Sequence, residues 1–158
     1  MRWIRGTMAA AALLAPTAGG AQLVSQDFCH GLTRVVNAAR NDGGFDSLER
    51  SRAAPPHLGF RHGCRAHDGT RTLPAAWWCR QTLAPEELSL ARLAARTAAC
   101  LPDAVRTQGR YHGSEAIFTL PYARILISER GGPRAHVGRI VSFRVEAVGS
   151  RGALVREE

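Results

Sequence analysis

The chain has 158 residues, 45% of them hydrophobic, a length and composition that fit a single globular domain. No apolar run approaches the roughly 20 residues of a membrane-spanning helix, which excludes an integral membrane bundle. The formal net charge is +8, from 21 basic residues against 13 acidic ones, and every basic residue is Arg. With abundant Ala and Gly, this Arg bias reflects GC-rich codons, and the arginines form no run, so the charge points away from a nucleic-acid partner.

The first residues read as a secretory leader. Arg2 and Arg5 make a positive start, residues 8–15 (MAAAALLA) a short apolar segment, and Pro16 a helix break. Gly19, Gly20 and Ala21 are small enough for signal peptidase, which predicts a leader over 1–21 and a mature start near Gln22. Loss of Arg2 and Arg5 with the leader takes the charge from +8 to +6. Gln26, Asp27 and Phe28 before Cys29 lack the small residues of a lipid-attachment site. The expected location is therefore the periplasm or the medium.

Residues 27–40 carry Phe28, Leu32, Val35, Val36 and Ala39 at helical spacing, with Asp27 as the expected N-cap and Cys29 at the stripe's edge. Residues 41–56 read as a loop with Phe45 and Leu48 tucked inward. Two strands are expected over 58–66 and 75–82, joined around His67–Arg71. A second helix is expected over 85–100. Pro85 lies in its first turn, Glu86 and Glu87 at its positive end, Leu88, Ala91, Ala95 and Ala98 on its apolar face, and Pro102 beyond it. A loop through Ser114 follows, then strands over 115–120, 123–129 and 139–147, and a frayed tail over 149–158. The order α-β-β-α-β-β-β predicts an α+β, two-layer domain over 22–148, with both helices on one face of an antiparallel sheet.

Four cysteines in an exported chain imply two disulfides, with three possible connectivities. A hairpin of the stated register puts Cys64 opposite Cys79. Antiparallel helices bring Cys29 near Cys100, so these two bonds are expected, contributing about 3 to 4 kcal/mol each by loop closure.

Candidate chemistry is sparse. His57, His62 and His67 surround Cys64 and offer imidazole ligands for zinc or copper, but their spacing fits no established ligand pattern. Solvent-exposed hairpin histidines are the plainer reading. Cys29 and His30 are adjacent, and neighbours on a helix point apart, so they make no nucleophile–base pair. Tyr111, His112, Ser114 and Glu115 lie together, yet triads are defined by geometry and not by adjacency. No phosphate-cradling loop, zinc-protease motif or nucleophile elbow is present, so an enzyme is disfavoured and no cofactor is implied. Trp77 and Trp78 must face opposite sides of a strand, one inward and one outward. Trp77, Trp78 and Arg80 are the candidate interface, since Trp and Arg are enriched among binding anchors. The expected function is a small exported, disulfide-held binding or inhibitor-type module, meeting another envelope protein or an anionic envelope component. A metal-binding protein using the three histidines is the alternative.

Overall fold

The computed structural model describes residues 19–41, 44–50, 56–70, 72–108, 114–131 and 138–148, with side chains in the first helix described from Gln26 onward. The expected leader lies outside these residues apart from its last three positions, and the expected tail lies wholly outside them.

Among the described residues three helices and six strands follow one another as α1 (Gly19–Arg40), α2 (Asp46–Arg50), β1 (Cys64–His67), β2 (Ala76–Gln81), a 3₁₀ turn (Glu86–Leu88), α3 (Leu90–Cys100), β3 (Val105–Gln108), β4 (Glu115–Thr119), β5 (Ala123–Arg130) and β6 (Ile140–Ala147). The strands form one antiparallel sheet in the order β1-β2-β6-β5-β4-β3. The helices pack on one face of it, as expected of an α+β domain. The last strand joins two units. β3 to β6 form a meander, and β6 also pairs along all of β2, which seats the β1–β2 hairpin beside it.

The core lies between the helices and the inner sheet face. Phe28, Leu32, Val35, Val36 and Ala39 of α1 are buried, as their 3.6-residue spacing requires. They meet Trp77, Ile125, Ile127, Val141, Phe143 and Val145, the inward members of three alternating strands. Phe28 stands edge-on to Phe143 with ring centroids 6.2 Å apart, a favoured quadrupole arrangement. Phe45 and Leu48 are also buried.

Both disulfides are Cys29–Cys100 and Cys64–Cys79. The second joins residues in direct register with Cα atoms 4.3 Å apart, the short spacing of a non-hydrogen-bonded antiparallel pair. The first ties α1 to the end of α3 across 71 residues of chain.

Several local expectations differ from the structure. Helix α1 begins at Gly19, so Asp27 is an exposed interior residue and not its N-cap. Residues 58–63 are turns, and the strand begins at Cys64. Leu58 and Gly59 have φ of 51° and 84° and Phe60 N–H donates to His57 O, which makes a tight turn of mirror-image hand. Leu58 and Phe60 are nevertheless buried, and their alternation imitates a strand. The expected second helix is broken at Ser89, whose ψ of 152° is extended. The break changes the helical phase. Leu93, Ala94 and Thr97 are buried, while Ala91 and Ala95 are exposed. Two further elements, α2 and β3, occupy stretches expected to be loops. Glu49 of α2 accepts the Ala66 N–H at 2.8 Å, blocking the outer edge of β1 that would otherwise invite another strand.

Candidate functional site

Strand pairing places successive residues on opposite faces, so the register defines the outer sheet face. Across its middle runs one row: Arg65, Trp78, Arg144, Leu126, Ile117 and Thr107. Among the described residues no helix covers this face. Trp77 is 0% exposed and belongs to the core, so it takes no part in a surface. Trp78 is 41% exposed and stands between Arg65 and Arg144, the residues in register with it on the neighbouring strands. Arg80 lies two residues along the same face and is exposed.

The electrostatics of this face are uneven. Arg144 Nε lies 3.0 Å from Glu146 Oε1, an ion pair beside the indole. Arg65, Arg80, Arg124 and Arg130 have no acidic partner among the described residues. The face therefore presents an aromatic surface beside guanidinium groups that outnumber its carboxylates.

A second feature lies at the opposite, helical side. Glu129, near the end of β5, accepts the Leu90 N–H at 2.7 Å through Oε2 and so caps the N-terminus of α3. Its Oε1 lies 2.9 Å from Arg139 Nε, and Arg139 Nη1 donates to Glu86 Oε2 at 2.7 Å. The hydrogen bond from Arg139, more than its charge, holds the Glu86 carboxyl below the ordinary carboxylate range, and the same bond raises the guanidinium. These residues line a shallow cleft of about 430 Å3. Both Glu129 oxygens are engaged within the chain, so the cleft joins the 3₁₀ turn, α3, β5 and β6 and offers no free carboxylate pair for acid–base work. No local pattern announces it, because Glu129 and Leu90 are 39 residues apart.

His57, His62 and His67 are all exposed. Among the described residues no group of three or more His, Cys, Asp or Glu is placed to hold a metal ion. His30 points to solvent from α1, while Cys29 is bound to Cys100. Ser114 directly precedes β4 and Glu115 opens it, while Tyr111 and His112 lie outside the described residues.

No described helix is long and apolar enough to cross a membrane. Comparison with protein-family models, with curated proteins and with solved structures found no match. The two intramolecular disulfides are compatible with a small exported protein.

Proposed function

We propose that this chain is exported with loss of its leader and acts in the periplasm or medium as a binding module of inhibitor type. It engages another envelope protein through the outer face of its sheet. One observation carries the reading: Trp78, large, aromatic and 41% exposed, sits on a helix-free sheet face, one strand in from the edge, with exposed Arg65 and Arg80 beside it. An indole left in water forgoes about 1.5 to 3 kcal/mol of burial free energy that a partner's surface would recover. The disulfides support the compartment, since such bonds persist in oxidising surroundings.

The test is capture from a periplasmic extract of the source cells with the tagged chain and its Trp78→Ala variant, alongside thermal melts of both. The expected result is a specific partner retained by the wild type and lost by the variant, with similar melting temperatures. Equal retention by both, or no specific partner at low and at physiological salt, overturns the reading.

A further inference from the structure

Charge is segregated in this molecule. By register, the outer sheet face carries five arginines (Arg65, Arg80, Arg124, Arg130 and Arg144) and two glutamates (Glu115 and Glu146). All the other described residues together carry eight arginines and eight acidic residues. The rest of the described residues are therefore balanced, and their whole positive surplus falls on the face that carries Trp78. A codon-driven excess of Arg explains the number of arginines, but not why acids balance them everywhere among the described residues except on this face.

We propose that the partner met by this face is a protein presenting carboxylates around an apolar or aromatic side chain. This rests on the binding reading above and specifies the partner's chemistry. The aromatic contact belongs at Trp78, with Leu126 and Ile117 continuing the half-buried row beyond Arg144. Carboxylates belong opposite Arg65 and Arg80 on one side and Arg124 on the other, none of which has an acid of its own among the described residues. A second copy of this chain does not fit, because stacking two such faces brings like charges together. A lipid surface fits less well, because more than half of the Trp78 surface is already covered, whereas a membrane anchor must present its apolar surface to the bilayer.

Size supports an electrostatic contribution. Strands about 4.8 Å apart and residues about 3.3 Å apart make the six-stranded face roughly 24 Å by 17 Å. That is about half the roughly 800 Å2 that a partner buries in a standard interface. Small interfaces of this kind gain rate and selectivity from complementary charge, which salt then weakens.

The probe is a decapeptide of glutamates interrupted by one phenylalanine, titrated into the full chain as recovered from the periplasm. The signal is the fluorescence of Trp78, isolated by subtracting the Trp78→Phe variant. Controls are the same peptide with glutamine for every glutamate, and vesicles of phosphatidylcholine with one-third phosphatidylglycerol. Saturable binding of the acidic peptide is expected. It should weaken at least about tenfold between 0.05 M and 0.5 M NaCl and by a similar factor in the folded Arg65→Glu/Arg80→Glu variant, while Arg65→Lys/Arg80→Lys keeps most of it. Equal binding of the glutamine peptide, or a response to vesicles alone, overturns the proposal. The partner captured through Trp78 is assayed in the same salt series and with the same variants. If its retention ignores salt and charge reversal, the acidic-partner inference fails while the binding reading stands. If Trp78→Ala retains it equally, the binding reading itself fails.

Discussion

Among the described residues two leucines occupy the left-handed backbone region that L-residues avoid, and Leu83 alone of the pair is also exposed. Leu83 has φ of 50° and is 74% exposed. Its Cδ2 lies so close to Gly138 that a Cβ built there would be 2.6 Å away, and Gly138 has φ of 64°. Leu83→Gly should therefore raise stability by about 1 kcal/mol, and Gly138→Ala should lower it by about 1 to 2 kcal/mol, both read from denaturant midpoints. Leu58, at φ of 51°, is different: its side chain fills the core, so the strain is offset by burial. Thr97 offers a second test. It is 0% exposed, with its hydroxyl making no hydrogen bond. Burying an unpartnered hydroxyl is unfavourable, so the isosteric Thr97→Val should leave the melting temperature unchanged or raise it, by up to about 1 kcal/mol in stability. A clear fall in stability would show that the hydroxyl has a partner.

At the scale of elements, the two disulfides hold different joints. Cys29–Cys100 spans 71 residues and locks the two long helices together, whereas Cys64–Cys79 spans 15 and staples a hairpin whose strands are already paired. Loop closure predicts a loss of about 4 kcal/mol for Cys29→Ser/Cys100→Ser and about 3 kcal/mol for Cys64→Ser/Cys79→Ser. Thermal melts of the two double variants should rank in that order. The Glu86–Arg139 contact joins the 3₁₀ turn to the start of β6 and is pH-dependent. Glu86 has a lowered pKa when folded. The contact's contribution is therefore complete above the ordinary carboxylate value of 4.5 and lost as pH falls through the folded value. Glu86→Gln should be less stable than the wild type near neutrality, and the difference should disappear in acid. A difference that persists unchanged at low pH would show that the carboxylate's charge is not involved.

For the whole molecule, the order of strands matters more than any one of them. Because β6 returns between β2 and β5, the centre of the sheet joins the middle third of the chain to the last third. Truncation before β6 should therefore unfold the β1–β2 hairpin's seat as well as the meander, visible as loss of cooperative melting in a chain ended at residue 131. The same insertion sets Arg144 beside Trp78 and completes the charged row of the outer face. The edge that Glu49 blocks at β1 contrasts with β3 at the other end, where Val105 remains 64% exposed.

The features legible from the residues alone are those with a strong period or an even count. These are the α+β class, the helix stripe from Phe28 to Ala39, the alternation of Val141, Phe143 and Val145, and the two cysteine pairs. Each is local, or follows from register once a hairpin is recognised. The strand β3 was harder to read because Val105, Arg106 and Thr107 are all exposed, and an edge strand with neither face buried leaves no hydrophobic alternation. The phase of α3 was lost at Ser89, where one extended residue resets the helical angle. Which tryptophan is wet, which face carries the positive surplus of the described residues, and how Glu129 caps a helix 39 residues away were decided only once the strands became neighbours. Those properties depend on which strands become neighbours, and long-range pairing leaves no mark in any local stretch of sequence.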